Sequence, residues 1–230
     1  MKLSILSGGA ALGLVEHIRA TFEADTGCQI VGEFGAVGAM KEKLLAGSDC
    51  DIVILSRKLV DDLASTGHVQ AESIRDLGVV STGVSIKAGN PPVSVGSPAA
   101  FGQALLSADA VYVPDMQRST AGIHMKQVFQ QLGVLDDIAA KIQEFPNGAT
   151  AMKAMAAASG KPLGCTQITE ILYSPGVQAV GLLPRGCELD TVYSTAVATK
   201  ARQADLAHQL VKVLTDSELE SYKNAHGFKV

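Results

Sequence analysis

No C-x-x-C pair occurs in this chain. Its four cysteines, Cys28, Cys50, Cys165 and Cys187, are far apart, whereas structural zinc is usually held by closely spaced ligand pairs. No metal is expected, and the simplest reading of the cysteines is four buried or half-buried thiols in a reducing compartment. No apolar stretch is long enough to cross a bilayer, so no membrane insertion is expected. Met1-Lys2 runs straight into Leu3-Ser4-Ile5-Leu6, without the charged region, long apolar core and cleavage site of an export signal. Read as written, the chain is expected in the cytoplasm; a removed export signal makes it periplasmic. A broad basic face is missing too, since 19 Lys and Arg stand against 23 Asp and Glu, a net charge of −4. Nucleic acid is therefore not an expected partner. A small anion still is, because it answers to local donors. The loop Ser7-Gly8-Gly9 lacks the G-x-G-x-x-G spacing, and neither a P-loop nor a G-x-S-x-G elbow is present. Dinucleotide binding, P-loop phosphate binding and α/β-hydrolase chemistry are thereby disfavoured, and no cofactor is expected.

What is present is an ordinary globular composition, 47% hydrophobic and 18% charged over 230 residues, in which strand and helix signals alternate. Leu3–Leu6 is a short apolar run, and Leu14, Val15, Ile18 and Phe22 then fall at helical spacing. Gln29–Phe34 reads as a strand, Met40, Leu44 and Leu45 mark a helix stopped by Gly47, and Ile52–Leu55 is a continuous apolar run, as in a buried parallel strand. A second block follows: strand Val79–Ile86, helix Ala99–Leu106, strand Ala110–Val113, helix Ile123–Leu132, helix Ala149–Ala158 and strand Pro162–Thr166. Strands at Val177–Leu183 and Val192–Thr199 and two closing helices complete the chain. The expected fold class is α/β, with two doubly wound lobes and a ligand cleft between them. Lobe I comprises residues 1–84 and 194–230, and lobe II residues 85–193, because Val79–Ile86 and Val192–Thr199 lie where the chain crosses and returns.

The chemistry is expected where strands meet helices. Ser7, Gly8, Gly9 and Ala10 form one such junction, and Gly35, Ala36, Val37 and Gly38 a second. Arg118, Ser119, Thr120 and Ala121 form a third, and Asn147, Gly148 and Ala149 a fourth. Small residues at these places let an anion approach the free backbone N–H groups and positive end of a helix. Taken singly, each junction reads first as an N-cap or turn; the four together point to an anion site. Arg118 adds a guanidinium, which grips carboxylates and oxyanions bidentately; its alternative is a solvated loop arginine. Thr166 and Gln167, at a strand end, supply neutral donors. His124 and Glu170 are the ionisable candidates for a catalytic role; their alternatives are a structural histidine and a helix cap. Cys165 continues an apolar strand and reads as a buried thiol.

These residues resemble a known family. Lys2-Leu3-Ser4-Ile5-Leu6 before a small-residue loop, Leu44 to Ile54, Thr120-Ala121-Gly122-Ile123-His124, Gln131-Leu132-Gly133, Pro162-Leu163-Gly164 and His226-Gly227-Phe228 are similar to the molybdate-binding, substrate-binding proteins of ABC transporters. The resemblance covers nearly the whole chain and implies the type II periplasmic-binding fold. It also implies a small anionic ligand and, for an exported protein, an ABC permease as partner. Molybdate binders of that family carry serines in the first two loops and usually a tyrosine in the late second-lobe loop. Here those loops hold Gly8-Gly9-Ala10 and Gly35 to Gly38, and the tyrosine position holds Gln167. Each lost hydroxyl donor weakens the grip on a tetrahedral oxyanion by about a kcal/mol, while Arg118 favours a ligand with a planar charged group. The expectation is an organic di- or tricarboxylate. Relatives of the family include isomerases of unsaturated tricarboxylates such as aconitate. Two readings therefore stay open: a cytosolic carboxylate isomerase, and a non-catalytic binding protein for molybdate or another oxyanion.

Overall fold

The computed structural model describes residues 1–230. The chain divides into two compact units, Met1–Val79 with Thr191–Val230, and Val80–Asp190.

The first unit is built on strands β1 (Lys2–Gly8), β2 (Gln29–Gly35) and β3 (Ile52–Ser56) and helices α1 (Leu12–Thr26), α2 (Val37–Leu45) and α3 (Arg57–Ser65). β1 pairs in parallel with β2, in a register that sets Gly8 beside Gly35, and in parallel with β3. The returning strand β9 (Asp190–Val197) lies antiparallel to β3, with Ile54 opposite Thr195. Ile52 to Leu55 are wholly buried, as a strand covered on both faces requires. Leu14, Val15, Ile18 and Phe22 form the buried stripe of α1, and Gly27, at φ 65°, ends that helix in the left-handed conformation glycine adopts without a Cβ penalty. Two helices, α9 (Ala204–Leu214) and α10 (Glu220–Ala225), and the short strand β10 (Phe228–Lys229) close the unit. Where β3 begins, the buried Asp51 accepts the backbone N–H groups of Ser4, Arg202 and Gln203.

The second unit contains α4 (Pro98–Ser107), β5 (Val111–Pro114), α5 (Thr120–Gln131), α6 (Leu135–Ile138), β6 (Ile142–Phe145), α7 (Gly148–Ala157), β7 (Leu163–Gln167), α8 (Ile168–Tyr173) and β8 (Val177–Leu182). β5 is flanked in parallel by β6 and β7. Strand β4 (Arg75–Lys87) is shared: Thr82–Ile86 pair antiparallel with β7 and, on its other edge, Gly83–Lys87 pair with β8. Because Thr82 is already laddered to Gln167, the division falls at 79/80 rather than at 84/85. On the return it falls at 190/191 rather than at 193/194. Phe101, Leu105, Val111, Val113, Met125 and Phe129 fill the core. β6 was not anticipated from the sequence. It is an edge strand whose residues are all partly or largely exposed, so it carries neither an apolar run nor a clean alternation.

Candidate functional site

In parallel α/β sheets the loops after the strands gather at the carboxyl edge, where ligands bind. In the first unit, Gly8 ends β1 and Gly35 ends β2, side by side in register. Gly9–Ala11 form a single 3-10 turn before α1, and Ala36 precedes α2; no side chain caps either helix start. The junction is tightly built. A Cβ on Gly8 would lie 2.7 Å from the Val37 side chain and 3.1 Å from the Tyr193 ring. Ser7, fully buried, donates its hydroxyl back to the carbonyl of Gly8 at 2.8 Å. The structure thus brings Ser7–Ala10 and Gly35–Gly38 together, with the small residues the sequence placed there.

In the second unit the junctions are capped. Ser119 accepts the Gly122 N–H at α5, and Asn147 accepts the Thr150 N–H at α7. Gly122 is obligatory, since a Cβ there would overlap the carbonyls of Pro114 and Asp115. Arg118 is not a bare loop cation. Its Nε and Nη2 pair with the Asp115 carboxylate at 2.8 and 2.7 Å, while the same carboxylate accepts the backbone N–H groups of Gln117 and Arg118. Burial pushes the Asp115 carboxyl up, but these donors together outweigh it and hold the group below its ordinary value. Asp115 therefore fixes Arg118, whose side chain remains 52% exposed, at the end of β5.

The third constellation joins segments that the sequence placed in separate loops. Glu170, in the first turn of α8, is 5% exposed. Its Oε1 accepts the N–H groups of Gly148 and Ala149 at 3.0 and 3.3 Å, and its Oε2 accepts the Thr166 hydroxyl at 2.5 Å. The backbone N–H of Gln167, the residue capping α8, also bonds to this carboxylate, an arrangement like the return arm of a capping box. Burial pushes Glu170 up from the usual carboxylate range, and the four donors only partly offset it.

The amides of Gly148 and Ala149, expected at an anion site, are taken up by the protein's own Glu170. Glu170 in turn receives four donors from its own chain. His124 is also engaged: its Nε2 lies 2.8 Å from the carbonyl of Cys187, where the ring donates a hydrogen bond, so it ties α5 to the segment before β9. Cys165 is a wholly buried thiol with its pKa pushed far up by burial, and all four cysteines are buried and unbridged.

Sequence reasoning missed Thr82, Tyr193 and Asp115. Thr82 sits opposite Gln167 in the β4–β7 ladder, is 1% exposed, and its hydroxyl has no hydrogen-bond partner. The only signal was a polar residue inside the strand Val79–Ile86. A cavity of about 650 Å³ does exist in the first unit, lined in part by Lys2, Ser4, Asp49, His68, Lys200 and Arg202. It lies where β1 and β3 begin, at the edge of the sheet opposite the junctions.

A family profile described as bacterial extracellular solute-binding protein matches residues 3–229. An aconitate isomerase from Pseudomonas sp. is 25% identical over 99% of this chain and 87% of its own length. The molybdate-binding protein ModA of Escherichia coli is 22% identical over 85% of this chain and 77% of its own. Among solved structures, the periplasmic molybdate-binding protein of Azotobacter vinelandii superposes with a TM-score of 0.80 at 18% identity, covering 99% of both chains. The fold is thus the α/β fold of the periplasmic binding proteins. On the strength of a match along almost its entire length, the chain belongs to the bacterial extracellular solute-binding protein family.

Proposed function

We propose that this protein binds a small organic anion, a di- or tricarboxylate, through its small-residue strand–helix junctions Ser7–Ala10, Gly35–Gly38 and Arg118–Ala121. The observation that carries the reading is the make-up of the first-unit junctions. The helix starts after β1 and β2 have no side-chain cap, and Ser7, the one hydroxyl there, turns back on the Gly8 carbonyl. Backbone N–H groups and a guanidinium suit planar carboxylates. They are poorer in hydroxyl donors than a tetrahedral oxyanion asks for. The likeness to an aconitate isomerase along 99% of the chain points the same way.

A thermal-shift screen tests this directly. Cis-aconitate, trans-aconitate, tricarballylate, molybdate and sulfate are compared; a ligand at a hundred times its Kd adds about 2.7 kcal/mol of stability. A shift with molybdate or sulfate and none with any carboxylate overturns the reading.

Turnover is a second reading, carried by the isomerase relative. Isomerisation of aconitate takes a proton from carbon beside a carboxylate and returns one elsewhere, which needs a base and donors for the enolate-like charge. The engagement of both His124 and Glu170 favours binding without turnover. A proton NMR time course of aconitate with the protein in deuterated water tests this: isomerisation or methylene exchange establishes turnover, and neither removes aconitate as substrate, leaving plain binding in the lead where a carboxylate also shifts the melting temperature. For an exported chain the remaining partner is an ABC permease.

A further inference from the structure

Three segments of the second unit meet on one carboxylate. Gly148 and Ala149 open α7, Thr166 lies next to the end of β7, and Gln167 ends β7 and caps α8; each sends a donor to Glu170. A carboxylate has about four lone-pair sites, so these four donors saturate it. The fit is close as well as complete. A Cβ on Gly148 would overlap both the Thr166 hydroxyl and the Glu170 carboxylate, so the α7 start must be glycine for the three groups to meet.

A helix start with free N–H groups attracts anions, and here that attraction is answered from within the chain. We propose that Glu170 is the resident anion of the second unit. It withholds the α7 amides from the ligand, and it is a positioning residue that pins the Thr166-Gln167 corner to the start of α7. The ligand's charge is then left to the α5 start and Arg118, where the Asp115 pairing holds the guanidinium at the strand end. This deepens the carboxylate-binding reading and rests on it for the affinity arm below.

The test uses the full chain with Glu170→Ala and Glu170→Gln, probed with formate and with trans-aconitate. Alanine removes the anion and leaves a carboxylate-sized space lined by two amides and a hydroxyl. Formate, compared with chloride at equal ionic strength, is expected to raise the melting temperature of E170A by several degrees and to leave the wild type unmoved. E170A is expected to bind trans-aconitate at least tenfold more weakly, with affinity recovering when formate is added. E170Q fills the space and keeps an acceptor oxygen for the amides, so it is expected to show no formate-specific shift. If E170A folds only in formate and not in chloride, the resident-anion assignment stands; recovery in neither overturns it. Equal formate shifts in wild type and E170A, or an unchanged Kd for trans-aconitate in E170A, also overturn it. Failure of the wild type to bind any carboxylate sinks the ligand reading and the positioning role with it, while the formate arm still decides the resident anion.

Discussion

The Oε1 atom of Glu170 accepts the backbone N–H of Gly148 at 3.0 Å across 22 residues of sequence, and the glycine is there because nothing larger fits. Gly148→Ala drives a methyl group into the Thr166 hydroxyl and the Glu170 carboxylate. Both are buried and held by further bonds, so neither moves without breaking one. Overpacking of this kind costs about 1–3 kcal/mol, and a severed bond to a buried charged group adds to it. Urea denaturation of Gly148→Ala should show a lower midpoint with an unchanged slope. A neutral effect would mean that the α7 start is looser than the structure shows.

Glu170 also makes stability depend on pH, with a sign that can be worked out. Burial raises its pKa in the folded protein above the ordinary value of 4.5, so the native state holds the proton to higher pH than the unfolded chain does. Its contribution is full below 4.5 and is lost as pH rises through the raised value. Glutamine does not titrate. The stability difference between wild type and Glu170→Gln should therefore shift in glutamine's favour as pH rises from 4.5 through that window, and level off above it. Denaturation curves at several pH values check this; movement in the opposite direction would show that the four donors outweigh burial.

The sequence made the scaffold legible because apolar periodicity reports burial. Leu14, Val15, Ile18 and Phe22 had to share a face, and Ile52 to Leu55 had to be covered on both. The junctions were legible for a related reason: Gly8, Gly35 and Ser119 stand where a strand's hydrophobic run stops. What the sequence hid was who bonds to whom. Gly148 and Glu170 each looked like an anion-site residue, one as donor and one as base, and the structure joins them to each other. Asp115 carried no signal of its own, although it fixes Arg118. Such pairings depend on which loops the sheet order places side by side, and β6, the exposed strand needed to derive that order, has no pattern to announce it.

Arg118→Ala separates the roles of that pair. The guanidinium is half exposed, so its loss should change global stability little at neutral pH, as for surface ion pairs. Its loss should matter for the ligand. A charge-assisted pair with a carboxylate contributes about 1.5–3 kcal/mol, so calorimetry with trans-aconitate should show binding weakened tenfold or more. Asp115 provides a second readout. Its lowered pKa means that its stabilising contribution is present above the ordinary value of 3.8 and lost as pH falls through the lowered one. Removing Arg118 takes away part of that lowering, so the mutant should lose stability at higher pH than the wild type during acid titration. Unchanged affinity in a folded mutant would make Arg118 a surface residue.

Thr82→Val tests the opposite case, a buried polar group without a partner. The Thr82 backbone is satisfied, its N–H by the Leu189 carbonyl and its carbonyl by the Leu183 N–H. The side chain is 1% exposed and its hydroxyl is unpartnered, so folding strips the hydroxyl of water and returns nothing. An unsatisfied buried group costs about 1–3 kcal/mol. Valine keeps the branched shape, suits a strand, and has no hydrogen bond to lose. Thr82→Val should therefore raise the melting temperature, by about 2–4 °C for a gain of about 1 kcal/mol in a chain of this size. Thr195, wholly buried in β9 with an unpartnered hydroxyl, gives an independent comparison in the first unit, and its valine variant should move the same way. A loss of stability in Thr82→Val would show that its hydroxyl does find a partner in the folded protein.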